Sequence, residues 1–155
     1  MRVLVDDAGL TIANPGGFVE GINVHNLLTA EPRGRNPCLM DALKRTGLAE
    51  RTGRGIDRIF EGALNYGRPL PDYSRSNRRG VSVLLPRSVP DKAFVELLAE
   101  ERERSGKSMS LDGLLILDKL KSERRCGFDV LSGSLDMSDQ RLRTCLLYTS
   151  DAADD

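Results

Sequence analysis

At 155 residues the chain provides for one ordinary domain, or for one domain and part of another. Apolar residues make up 39% and charged residues 30%, a soluble globular balance; no run has the length of a transmembrane helix, and the N-terminus lacks a signal-peptide core. Basic and acidic side chains number 23 each, Trp is absent and aromatics are only 5%, which argues against base stacking as the main chemistry. Three cysteines without pairing spacing point to a reducing, cytoplasmic compartment.

Arg2–Val5 and Leu10–Ala13 are β-prone runs on either side of "DDAG", where Gly9 can take a positive φ, so a hairpin is expected. "NPGG", residues 14–17, follows directly; it is either a turn or a loop that lets a ligand approach bare backbone. "GINVHNLLTA" is read as a short helix carrying Ile22, Val24, Leu27 and Leu28, and "EPRGRNP" as a polar loop. Asn36-Pro37 then supplies an N-cap and a first-turn proline. The helix it starts has Lys44 and Arg45 in its last turn and closes at Gly47, with apolar Leu48 behind. In the next helix Ile56, Ile59, Phe60, Ala63 and Leu64 make one continuous apolar face, ended by Gly67 and Pro69. A polar connection leads to a closing strand, Val81–Leu85.

A second unit begins near Asp91, which can cap a helix bearing Phe94, Leu97 and Leu98. "ERERSGKS" is read as a charged linker, its "EERERS" run also as a solvated helix face, and Leu111–Lys121 as a helix. Two short helical pieces are expected around Gly133, with Ser138 capping the second. Helix, turn and two short helices match the start of a winged helix-turn-helix, and equally any small three-helix packing. In the first case Gln140, Arg141 and Arg143 would face a DNA groove. The last eleven residues, "CLLYTSDAADD", read back into codons, resemble read-through of a transposon-based sequencing adapter. They are set apart as a tail, 145–155, and a natural chain interrupted near Thr144 is expected. Without Asp151, Asp154 and Asp155, 23 basic side chains face 20 acidic ones, a net charge of +3 that does not by itself argue for nucleic acid.

"TGRGIDRI", residues 52–59, carries the most chemistry: Gly53 and Gly55 open a helix, Arg54 lies between them, and a helix N-terminus favours phosphate. A helix connection that needs glycine for tight geometry reads the same way. "SGKS" at 105–108 is not a Walker A motif, because Glu101 stands where a glycine is required. The single histidine, His25, gives neither a metal site with the cysteines nor a catalytic arrangement.

Taken in order, "NPGG", "RNP", E-x-x-G-x-G-I-x-R-I and P-x-P-x-Y before a closing strand form a set spanning roughly residues 3–86. This set resembles the RecG-related ATP-binding family with a GHKL-type fold, found in bacterial transcriptional regulators that carry a C-terminal winged helix. The resemblance implies an α/β fold: the C-terminal part of a GHKL-like two-layer sandwich over 1–88, then an incomplete winged helix-turn-helix over 91–144. It implies that the loop of Asn14, Gly16 and Gly17 meets the adenine end of a nucleotide. Arg33, Arg35 and Asn36 would belong to a lid over the phosphates, and Gly53, Arg54 and Gly55 would cradle them. Asn14 departs from the Asp usual at that position. The cofactor implied is ATP with magnesium in the parent protein. The magnesium-holding Asn and the catalytic acid of such proteins lie on a helix before the first strand here, so no catalytic or metal residue is assigned and a fragment truncated at both ends is expected. The implied partners are a nucleotide and, through the winged helix, DNA; no membrane is implied and a homodimer is left open. The rival reading is a degenerate, non-catalytic module for dimerisation or partner binding.

Overall fold

Asp-Asp-Ala-Gly reverses the chain after one strand, because an Asp carboxylate can accept from the N–H groups two and three residues on. In the computed structural model, which describes residues 1–48, 54–123 and 125–150, Asp6 Oδ1 accepts from the N–H of Ala8 at 3.0 Å and of Gly9 at 3.2 Å. Strands β1 (Arg2–Asp6) and β2 (Gly9–Pro15) pair antiparallel around this turn, from Asp6↔Gly9 to Arg2↔Ala13. Gly9 has φ +140°, and a Cβ there would collide with the Leu85 carbonyl. Strand β3 (Gly80–Pro86) pairs antiparallel along the other edge of β2, giving the order β1-β2-β3.

Between β2 and β3 lie two helices. In α1 (Pro37–Arg45) the Asn36 side chain accepts from Leu39 N–H at 3.0 Å, and Pro37 fills a first-turn position. Its end is a Schellman motif: Gly47 N–H reaches Lys44 O and Leu48 N–H reaches Leu43 O, with Gly47 at φ +72°. Helix α2 (Arg54–Asn65) ends in the same way, Gly67 N–H on Leu64 O and Arg68 N–H on Ala63 O. "GINVHNLLTA" is not helical. Asn23 accepts from His25 N–H, and Asn26 both accepts from Asn23 N–H and donates to Gly21 O, so side-chain amides fold the segment into turns.

The chain divides into two compact units, Met1–Phe60 with Pro69–Ser88, and Glu61–Arg68 with Val89–Asp155. The mixed α/β class agrees with expectation. In the first unit Phe60 stacks on buried Tyr73, ring centroids 6.5 Å apart, which gives the P-x-P-x-Y segment a packing role. That segment also joins the sheet through an Asp72↔Leu84 bridge and a two-way bond between Ser76 Oγ and the Ser82 backbone. The second unit holds α3 (Lys92–Ser105), α4 (Leu111–Glu123), α5 (Phe128–Leu135) and α6 (Asp139–Ser150). Its core is Leu64, Phe94, Leu114, Leu115, Ile116, Leu131, Met137 and Leu142.

Helix boundaries differ from expectation in places. The "EERERS" run is helical, as its reading as a solvated helix face has it, and forms the last turns of α3, which Gly106 closes at φ +68°; it is not part of a linker. Gly133 does not break a helix; α5 runs through it and ends at Asp136, a non-glycine residue at φ 51°. Helix α6 is capped by Ser138 as expected, yet it continues through Cys145–Ser150, residues that had been set apart from the fold. No strand follows β3 among the described residues, so helices α4, α5 and α6 are present and a wing is not shown.

Candidate functional site

The "NPGG" segment is a turn held by the chain's own groups. Gly16, at φ +87°, donates to Arg79 O at 2.8 Å and bridges Gly80. A Cβ on residue 16 would stand 2.8 Å from the Arg35 guanidinium, and one on residue 17 would stand 2.6 Å from Asn77 O and 2.9 Å from Arg78 Cα. Arg35 donates to the carbonyls of Gly17 and Phe18, across 18 and 17 residues. Both glycines are therefore required by close packing of backbone and guanidinium. Asn14 is exposed at the end of β2, its carbonyl 3.0 Å from where a Cβ on Gly80 would stand.

The structure thus joins Gly16, Gly17 and Arg35, and adds Arg78 and Arg79, two exposed arginines that the sequence reading missed. The signal was the run "SNRRG" directly before the closing strand. Asn77 turns that run by accepting from Arg79 N–H at 2.8 Å, and its own N–H reaches Gly80 O. Asp72 opens the segment; its carboxyl lies below the ordinary range because Ser74 N–H, and then the Ser74 hydroxyl, bond the charged form. Burial pushes the Tyr73 phenol up. The turn thus meets the Arg35 guanidinium and the backbone of Arg78 and Arg79, both of which are exposed.

The remaining lid residues lie apart from that turn in their contacts. Arg33 is exposed, with Nη1 3.9 Å from the position of a Cβ on Gly21. The carboxamide oxygen of Asn36 is engaged in capping α1. Arg54 and Gly55 form the exposed first turn of α2, whose N–H groups have no intrahelical acceptor. Among the described residues, and apart from the neighbouring helix backbone, no atom lies within 4 Å of where a Cβ on Gly55 would stand. Gly53 and Glu50 lie outside the described residues.

In the second unit Arg141 Nε and Nη2 each donate to the Asp112 carboxylate at 2.6 Å, tying α6 to α4. Arg143 sits 5.0 Å from the Phe128 ring centre, and Gln140 is exposed. A surface pocket of about 280 Å³ is lined by Tyr66, Arg68, Pro90, Lys92, Val95 and Glu96, none of them a sequence-predicted site residue. Among the described residues no group of three or more His, Cys, Asp or Glu is arranged to hold a metal. No described helix is long and apolar enough to cross a membrane.

A three-stranded antiparallel sheet with a glycine turn after its second strand and two helices between the second and third defines a small mixed α/β module. Residues 2–85 match the family described as "Putative ATP-dependent DNA helicase recG C-terminal", and with more than half of its length matched the chain belongs to this RecG-related, ATPase-like family. No match is found among curated proteins. The solved structure of the DIP2311 protein from Corynebacterium diphtheriae is similar over 92% of this chain, with a TM-score of 0.72 and 24% identity. This chain spans 29% of the length of that protein, and the likeness is one of fold.

Proposed function

We propose that the first unit binds the phosphates of an adenine nucleotide and that α4, α5 and α6 contact DNA, as parts of an ATP-responsive DNA-binding regulator with a GHKL-like nucleotide module. One observation carries the nucleotide reading. In a chain of an ATPase-like family, the Gly16-Gly17 turn packs against the Arg35 guanidinium and the backbone of the Arg78-Arg79 segment. Backbone donors at the start of α2 add a second anion-favouring element. Arg33, Arg54 and Gly55 are the residues most open to the phosphates. Calorimetric titration with ATP tests the reading. A Cβ branch at residue 55 would fill open space in front of the first turn, so Gly55→Val is expected to weaken binding about tenfold with the fold intact. Undetectable binding by the parent chain, or equal affinity in the variant, overturns this placement.

A second reading, a module that holds no nucleotide, is favoured by the engagement of Arg35 with the Gly17 and Phe18 carbonyls. The same titration separates the two. For DNA the supporting feature is the α5–turn–α6 arrangement, with Asp136 to Ser138 between the helices and Gln140 and Arg143 near the start of α6. Fluorescence anisotropy should show weak binding that is lost by about 200 mM salt. Absence of binding at low salt overturns the DNA reading.

A further inference from the structure

Strand β1 is exposed at all five positions, with Val3 at 55%, Leu4 at 39% and Val5 at 76% of full exposure. It is an edge strand: β2 pairs along one side and no strand pairs along the other among the described residues. The usual protections of an edge are missing, since "RVLVD" has no proline, no bulge and no charge between its ends. The hairpin register fixes which groups point outward. Asp6 and Gly9 flank a two-residue turn, so they are a hydrogen-bonded pair. By alternation Leu4–Thr11 and Arg2–Ala13 are also bonded pairs, which leaves the N–H and C=O of Val3 and Val5 directed at the open edge.

We propose that this edge pairs antiparallel with β1 of a second copy of the chain, centred on Leu4. Arg-Val-Leu-Val-Asp is complementary to itself when reversed. Leu4 meets Leu4 of the second copy, Val3 meets Val5, and Arg2 meets Asp6, on one face and with opposite charge. Val3 and Val5, whose backbone groups face outward, are the residues that become the bonded pair, so register and side-chain match agree. Arg2 has no ion-pair partner among the described residues, and Asp6 uses one oxygen in the turn. Any other register sets Arg2 or Asp6 against an apolar side chain or a like charge. The contact is small, so the dimer is of the weak class, forming at concentrations of about 0.1 mM. It is independent of the nucleotide reading.

Sedimentation equilibrium of the whole chain and site-specific cross-linking test it together. The parent chain is expected to shift toward twice its 17.1 kDa as concentration rises. Val5→Pro, which removes an outward N–H at an edge position that tolerates proline, should weaken the dimer about tenfold or more. Arg2→Asp, at the exposed strand end, should weaken it with relief by salt. Two Leu4→Cys copies would face each other with Cα atoms about 4.5 Å apart, within disulfide reach, and should form a covalent dimer beyond any formed by the parent cysteines. Arg2→Cys copies would be about 13 Å apart and should not. A parent that stays monomeric to about 0.5 mM, equal cross-linking at positions 2 and 4, or an unchanged dimer in Val5→Pro would each overturn the proposal.

Discussion

Gly47 and Gly67 end α1 and α2 with the same hydrogen-bond pattern, and their surroundings give them different costs of substitution. Both have left-handed φ, +72° and +61°. Among the described residues nothing lies within 4 Å of a Cβ on residue 47, whereas one on residue 67 would meet Asp91 O at 2.6 Å and Asp91 N at 2.9 Å. Gly47→Ala should therefore cost only the left-handed strain, about 1 kcal/mol. Gly67→Ala adds backbone overlap and should cost about 3 kcal/mol. Urea unfolding of the two variants measures the difference. Asp91 offers a second residue-scale test. The Lys121 ammonium at 2.9 Å, and after it the Phe94 N–H, hold the Asp91 carboxyl below the ordinary carboxylate value. A depressed folded pKa means that this contribution is complete above the unfolded value of about 3.9 and is lost as pH falls through the folded one. Stability of the helical unit should drop more steeply below about pH 4 in the parent than in Asp91→Asn, which can still cap α3. Parallel acid titrations by circular dichroism would show whether the slopes differ.

Among elements, the ties between helices carry more than their surface position implies. The Arg141–Asp112 pair is bidentate, with Asp112 only 16% exposed, while the Arg143 contact with Phe128 is a single cation–π approach. Arg141→Ala should lower the stability of the helical unit by about 1 kcal/mol, and Arg143→Ala by about 0.5 kcal/mol. Thermal melts of the two variants would establish the order. The same comparison shows where sequence reading works. Asn36-Pro37, Gly47-Leu48 and the face of Ile56, Ile59, Phe60, Ala63 and Leu64 are local signals, and the helices they start, stop and orient were legible. The "GINVHNLLTA" turns were not, because the apolar spacing competed with amide side chains that bond the backbone better in a turn. The end of α5 was missed because Asp136, not Gly133, takes the left-handed conformation, and the Ser132 hydroxyl fastens the junction to Met137 O and Asp139. Of the candidate site, the glycine turn was visible in "NPGG". Arg35 was named from the "RNP" loop, but its contact with the turn, and the approach of the Arg78-Arg79 backbone, were not legible, since both come through long-range folding.

At the scale of the whole molecule, burial is divided unevenly. Every buried hydrophobic side chain among the described residues except Tyr73 belongs to the second unit, while β1 is exposed throughout and β3 is only half-buried. Opening free energy follows local burial and protected backbone bonds. Amides of β1, β2 and α1 should therefore exchange with deuterium faster than those of α4, whose Leu114, Leu115 and Ile116 are all core. A nucleotide bound at the first unit would change that order in a definite way. Ligand that binds only the closed form stabilises it by RT ln(1 + [L]/Kd), about 2.7 kcal/mol at a hundredfold excess over Kd, or nearly a hundredfold slowing of exchange. Without coupling, that slowing is confined to the unit that holds the ligand. ATP is thus expected to protect β2, the Gly16-Gly17 turn and the first turn of α2, and to leave α4 and α6 unchanged. Inorganic triphosphate should reproduce protection at the turn and at α2 if phosphate is what the arginines read. Hydrogen-exchange mass spectrometry with and without each ligand resolves these segments in one experiment. Protection that falls on α4 and α6 instead would move the nucleotide site out of the first unit, and protection of β1 alone on concentrating the protein would report the strand-paired dimer.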